Sequence, residues 1–342
     1  MLSRTPAVSR AACRLSRTGL GAGAVRGFSA SAAALKERIG WIGTGVMGSP
    51  MCQHLMDAGY SATVYNRTAS KCDGLAAAGA RVASSPREVA ENSDVVFSIV
   101  GTPADVESVI LGADGVFDPS GGGLAAGGVL VEMTTSSPSL AREIAEVAAA
   151  RGCSSLDAPV SGGDVGARNG TLAVMVGGEE DALARVAPLL GAMSSKVTLM
   201  GPAGAGQMTK AVNQTVIANN MMGMAEGLVL ATRAGLNPFD VVDAIGGGAA
   251  ASFSLTQLGP RAAKGDLDPG FFVEHFVKDL GIALGEAERL GLQLRGMQVA
   301  SELYAEMMKN GQGKRGTQAL VQAVEALARK EGPSVVGFPP RS

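Results

Sequence analysis

Lys210, Asn213 and Gln214 stand at i, i+3 and i+4 in a helix-forming stretch, so one helix face carries all three. An ammonium among Ala, Val and Met is costly to bury, and that cost lowers its pKa towards the range in which lysine can exchange a proton. Lys210 is therefore the candidate acid/base, with Asn213 and Gln214 placed to orient it. A lysine that snorkels to solvent fits the same spacing. A second group is Asp157-Ala158-Pro159-Val160-Ser161-Gly162-Gly163. Ser161 can donate its hydroxyl, and Gly162 and Gly163 leave backbone N–H groups unobstructed. That arrangement suits a bound carboxylate, and it suits a plain turn equally.

The third group is Gly43-Thr44-Gly45-Val46-Met47-Gly48, a G-x-G-x-x-G run between a predicted strand and a predicted helix. Gly43 permits the tight turn, Gly45 lets the backbone approach a pyrophosphate, and Gly48 lets the helix pack against the strand. The helix start then offers free N–H groups and partial positive charge, so a dinucleotide cofactor is implied. At the end of the next strand, where an acid would bind a ribose 2′-OH, the chain has Tyr65-Asn66-Arg67-Thr68. With no carboxylate there and an arginine able to pair with a 2′-phosphate, NADP is favoured over NAD. A solvated turn arginine is the other reading. Lys278 can reach the cofactor from a later helix, or it can pair with Glu274 at i, i+4. His54 and His275 are the chain's two histidines and have apolar helical neighbours, so neither a metal site nor a histidine mechanism is predicted.

These groups need a scaffold, and the patterning supplies one. Short β-rich runs at 38–42, 62–65, 94–100 and 128–134 read as central strands of a parallel sheet. Helices at 50–58 and 138–150 are closed by Gly59 and Gly152. Runs at 155–160, 172–176 and 197–200 complete the sheet. After Gly201-Pro202-Ala203-Gly204-Ala205-Gly206 the strand signals vanish. A helix over 207–234, about 40 Å long at ~1.5 Å per residue, is followed by helices at 271–290, 297–308 and 318–330. The expected fold is α/β: a Rossmann-type doubly wound sheet over 37–200, joined by the long interdomain helix to an all-α part over 201–332, with a tail at 333–342. The glycine patches 121–123 and 246–248 read as loops.

Composition excludes several functions. The 342 residues carry a formal net charge of -2, which leaves no broad basic field for nucleic acid. The richest apolar run, 211–231, is broken by Asn, Gln and Glu, so no membrane span is predicted. Cys13, Cys52, Cys72 and Cys153 show no CxxC spacing and read as reduced thiols. Residues 1–36 hold Arg4, Arg10, Arg14, Arg17 and Arg26 before the first acid, Glu37. They read as a disordered transit peptide with a processing site near Arg26-Gly27-Phe28-Ser29, addressed to the mitochondrial matrix, with the plastid as alternative; a disordered tail with no address is the other reading.

In this order the glycine turn, the Asp157–Gly163 block, Gly204-Ala205-Gly206 with Lys210 and Asn213, and Lys278-Asp279-Leu280 resemble the β-hydroxyacid dehydrogenase family. That family includes 3-hydroxyisobutyrate dehydrogenases, with plant mitochondrial forms among them, and tartronate, glyoxylate and succinic semialdehyde reductases. The likeness runs from Arg38 to Ala328. It implies hydride transfer between nicotinamide and a small carboxylate-bearing 3-hydroxy acid or semialdehyde, in a homo-oligomer. It makes Lys210 the catalytic lysine and Ser161, Gly162 and Gly163 the substrate loop. It gives cofactor contacts to Thr135, to Lys278 and to the loop Val100-Gly101-Thr102. Two departures bear on the substrate. The family's usual Asn-Asn is Asn213-Gln214, as in tartronate semialdehyde reductases, and its serine- and proline-rich segment is replaced by Ala251-Ser252-Phe253-Ser254-Leu255-Thr256. Arg67 keeps an NADPH-dependent glyoxylate or succinic semialdehyde reductase as rival. A non-catalytic cofactor sensor would call for Lys210 to be replaced, and the lysine is in place.

Overall fold

A computed structural model describes residues 36–328 and 332–338. The expected transit peptide, up to residue 35, and the end of the tail lie outside the described residues.

Among the described residues nine strands form one sheet. They are β1 (Ile39–Ile42), β2 (Ala62–Tyr65), β3 (Arg81–Val82), β4 (Val95–Ser98), β5 (Val129–Glu132), β6 (Ser154–Asp157), β7 (Val160–Ser161), β8 (Leu172–Gly177) and β9 (Ser194–Gly201). The order is β3-β2-β1-β4-β5-β6-β8-β7, with β9 on the other side of β8. Strands β3 through β6 are parallel, and β1, β4 and β5 are buried throughout, the signature of a sheet covered on both faces. The parallel expectation fails at β8, which runs antiparallel to β6 and β7. The predicted strand over 155–160 also divides in two. Pro159 has no N–H to give a ladder, and its carbonyl instead accepts from Met175 N at 3.1 Å, turning Val160 and Ser161 onto β8.

Register places the loops. Tyr65, Ile42, Ser98, Glu132 and Asp157 stand in one row across five parallel strands. The residues that follow each of them therefore emerge along a single edge. Strand order reverses between β1 and β4, and open α/β sheets bind ligands outside the carboxyl edge at such a point. Helices Pro86–Glu91, Pro103–Leu111 and Pro138–Ala150 all start with Ser or Thr as cap and Pro at the first position. Two apolar cores cover the sheet faces, one built on Trp41 stacked 5.3 Å from Phe97, the other on Ile42, Ile110 and Leu130.

Beyond β9 the described residues are helical, with one isolated bridge between Phe272 and Gly316. The spine, Ala205–Arg233, has 29 residues, about 43 Å. It packs against Val273–Arg289, Arg295–Lys309 and Leu320–Ala326 over a third core containing Met221, Phe276 and Tyr304. The last predicted helix starts later than 318, because Thr317–Ala319 forms a 3₁₀ turn. The spine is anchored on the sheet. Gly204 caps it with φ +89°, and the Asp157 carboxylate accepts Gly204 N at 2.7 Å and Gln207 N at 2.8 Å. A side chain at Gly206 would overlap the carbonyl oxygens of Asp157 and Met175, so glycine is required where the helix crosses β6 and β8.

Candidate active site

At the end of β1, Gly43 has φ +94° and donates its N–H to Tyr65 O at 2.8 Å. A Cβ there would overlap the Ile99 carbonyl, and one at Gly48 would overlap the Gly43 carbonyl. Above Gly45 no atom lies within 4 Å of where a Cβ would be, so the turn is open on the side a ligand approaches. Helix Gly48–Asp57 begins with no side-chain cap and no acid in its first turn, so no side chain of its own neutralises the positive end of the helix, although Ser49 N and Met51 N are bonded to Gly45 O and Met47 O and Pro50 has no N–H. Val46 is 61% exposed, while Met47 packs on the core below. Thr44 N donates to Asn66 Oδ1 at 3.1 Å, and Asn66 Nδ2 donates to Thr68 O at 3.0 Å, so the loop after β2 is tied to the turn. Arg67 extends outward and pairs with Asp105 at 2.8 Å. On the other flank Val100 N donates to Thr134 Oγ1 at 2.9 Å, holding the Val100–Thr102 loop against the end of β5. An open glycine turn, an uncapped helix start and polar loops on both flanks fit a dinucleotide.

The second group meets further along the edge. The Lys210 side chain is only 7% exposed and donates Nζ–H to Val160 O at 2.8 Å. Burial pushes its pKa down to about 8; the Asp279 carboxylate opposes that shift and Lys278 adds to it. The snorkelling alternative is thereby excluded. Ser161 Oγ donates to Asn213 Oδ1 at 3.4 Å, Asn213 Nδ2 to Gln214 Oε1 at 2.7 Å, and Gln214 Nε2 to Asp279 Oδ2 at 2.6 Å. Lys278 lies 3.0 Å from Asp279 Oδ1 and donates to Thr135 O at 2.6 Å. One continuous polar path thus runs from Ser161 to Thr135. The intrahelical pair of Lys278 with Glu274 does not form: Glu274 holds Lys314 at 2.6 Å instead. Gly162 and Gly163 have φ +135° and +61°, conformations that keep side chains out of the turn after Ser161.

Four positioning residues escape sequence reasoning. Asp279 ties Lys278 to Gln214, and Asp157 caps the spine. Gln207 binds the spine to the loop after β5, donating to Thr134 O at 2.7 Å and accepting from Ser136 N at 2.9 Å. Glu132 accepts Thr134 N at 2.7 Å, and burial, partly offset by the Thr134 hydrogen bonds, raises its pKa to about 8. Asp157 and Asp279 stand inside motif blocks, but their spacing gives neither carboxylate a partner. Gln207 and Glu132 carry no such signal.

Comparison with known proteins identifies the fold and the chemistry together. Residues 38–201 match the NAD binding domain of 6-phosphogluconate dehydrogenase, and residues 204–324 match the NAD-binding domain of NADP-dependent 3-hydroxyisobutyrate dehydrogenase. A relative in Arabidopsis thaliana, a probable 3-hydroxyisobutyrate dehydrogenase-like mitochondrial protein, is 53% identical over 85% of this chain and 86% of its own. The 2-hydroxy-3-oxopropionate reductase of Escherichia coli is 38% identical over 85% of this chain and 98% of its own. The solved 3-hydroxyisobutyrate dehydrogenase of Mycobacterium tuberculosis, described with L-serine, superposes with TM-score 0.76 at 30% identity, over 85% of this chain and 99% of that one. Fold and relatives define an NAD(P)-dependent oxidoreductase that acts on a hydroxyl group. The chain belongs to the β-hydroxyacid dehydrogenase family.

Proposed function

We propose that the protein interconverts a small 3-hydroxy acid and its semialdehyde, of the 3-hydroxyisobutyrate/methylmalonate semialdehyde kind, in the mitochondrial matrix. The observation that carries this reading is the buried Lys210 ammonium on the Val160 carbonyl, one residue from Ser161. The nicotinamide ring supplies the hydride chemistry. The chain binds, orients and moves one proton. Neutral Lys210 Nζ accepts the substrate hydroxyl proton during oxidation, and its ammonium form returns it during reduction. Asn213, held by Gln214, orients the reacting hydroxyl. The Ser161 hydroxyl and the N–H groups of Gly162 and Gly163 hold the carboxylate. Thr135 and Lys278, with the Val100–Thr102 loop, position the cofactor beside them. In this reading residues 37–200 form the cofactor domain, 201–332 the substrate and dimerisation domain, and 333–342 a tail. Exposed Val212, Val216 and Leu230 on the spine support self-association. The mitochondrial names of the Arabidopsis relatives support the matrix address.

Arg67 favours NADP, since its guanidinium points outward beside the cofactor turn with no acid at the ribose position of β2. The same residue supports a second reading, an NADPH-dependent reductase of glyoxylate or succinic semialdehyde. Steady-state kcat/KM for NADPH and NADH against methylmalonate semialdehyde, glyoxylate and succinic semialdehyde separates them. The first aldehyde with NADPH should give the highest value. A higher value for glyoxylate or succinic semialdehyde moves the assignment to the reductase, and no turnover with any of them removes both.

The Lys210 pKa also fixes the sign of the pH dependence. Oxidation requires the neutral amine, so its kcat/KM should rise as pH passes upward through about 8 and then level off. Reduction requires the ammonium, so its kcat/KM should fall over the same window. Profiles that are flat from pH 7 to 9 in both directions would exclude Lys210 as the titrating group.

A further inference from the structure

Arg67 follows β2, and Asp105 lies in the first turn of the helix after β4. These strands flank β1 on opposite sides, so the Arg67–Asp105 pair at 2.8 Å crosses the end of β1 where the glycine turn begins. The two partners are held differently. Asp105 is fixed in a capping box: its Oδ2 accepts Thr102 N at 3.0 Å and Thr102 Oγ1 at 2.8 Å, while Thr102 Oγ1 accepts Asp105 N at 3.1 Å. Arg67 donates Nη1–H to the other oxygen, Asp105 Oδ1, and its side chain is 84% exposed. The division of labour between the two oxygens lets Arg67 leave without dismantling the helix start.

We propose that Asp105 is a specificity-determining residue that competes with the cofactor's 2′-phosphate for Arg67, tempering the preference for NADP over NAD. The proposal rests on the reading of Arg67 as the 2′-phosphate partner. Three features support it. The carboxylate neutralises the one guanidinium offered at the end of β2. An ion pair this exposed is weak, and a phosphate, with more charge and a bidentate face for arginine, displaces a single carboxylate oxygen. Once displaced, Asp105 stays where the cap holds it and repels the incoming phosphate. A cofactor lacking the phosphate meets neither cost and leaves the pair intact.

The test is calorimetric titration of the full chain with NADP⁺ and NAD⁺ in four forms: unaltered, Asp105→Asn, Arg67→Ala and the double variant. Asp105→Asn keeps an acceptor for Thr102 N and removes the charge. It should tighten NADP⁺ by roughly 3–5-fold and leave NAD⁺ within about twofold. In the Arg67→Ala background most of that gain should vanish. If Arg67→Ala weakens NADP⁺ while Asp105→Asn leaves the NADP⁺/NAD⁺ ratio unchanged or lowers it, the role of Asp105 is wrong and the reading of Arg67 stands. If Arg67→Ala leaves the ratio unchanged, both fall. Should Asp105→Asn unfold early, Asp105→Gln, neutral and suited to the third position of a capping box, carries the same expectation.

Discussion

Replacing Lys210 by methionine is expected to lower kcat/KM about 10²–10⁴-fold in both directions, the usual worth of a positioned acid/base, while NADP⁺ affinity stays within about threefold. The side chain is buried, and its one hydrogen bond reaches the carbonyl that precedes Ser161. In the proposed reading it therefore acts where the substrate carboxylate and hydroxyl are to sit, away from the glycine turn. Methionine fills nearly the same volume without a charge, so thermal unfolding should occur at or above the temperature of the unaltered protein. Lys210→Arg separates a proton-transfer role from a merely cationic one. A guanidinium keeps the charge but does not release its proton in this pH range, so it should not restore activity. Calorimetry and steady-state kinetics on both variants check the account, and near-normal kcat in either would sink the assignment of Lys210.

The second large effect concerns the anchor rather than the chemistry. Asp157→Ala leaves the N–H groups of Gly204 and Gln207 buried without their acceptor, at about 1–3 kcal/mol each. A loss of about 2–6 kcal/mol is expected. Burial raises the Asp157 pKa against the pull of these donors, so the ionised carboxylate itself is held at some cost, and the lower half of that range is favoured. Asp157→Asn, which keeps one acceptor oxygen, should recover part of the loss. Trp41, the one tryptophan of the chain, is buried in the sheet core and reports unfolding in denaturant. A midpoint unchanged by Asp157→Ala would show that the spine does not depend on this cap. Because the spine carries Lys210 and Asn213, the same variant should also lose activity in proportion to the folded fraction.

What the sequence reveals and what it conceals divide along a physical line. The glycine turn is legible because its demands are local: a left-handed Gly43, an open Gly45 and a Gly48 pressed on a carbonyl lie within six residues. Lys210 is legible because a charge inside an apolar helical period is anomalous by itself. Asp279 reaches Gln214 65 residues away, Gln207 reaches Ser136 71 residues away, and Glu132 also accepts from Gln207 Nε2 at 3.3 Å, 75 residues away; no spacing rule spans such distances. Lys278 illustrates the limit. Helical periodicity offers Glu274, but that carboxylate is taken by Lys314, 40 residues on, and Lys278 is drawn across to Asp279 and Thr135. The direction of β8 is not legible for a related reason. A run such as 172–176 signals a strand but not its direction, which the return through Gly162 and the helix Gly163–Asn169 settles by sending the chain back beside β7.

The most direct test of the central claim follows the hydride. The enzyme should be given NADP⁺ and 3-hydroxyisobutyrate carrying deuterium on the hydroxyl-bearing carbon, and the reduced cofactor analysed by mass and proton resonance. Deuterium should appear at C4 of the nicotinamide, and kcat/KM should fall when the label is present. Unlabelled reduced cofactor, with the deuterium left in the substrate or lost to water, would contradict that claim.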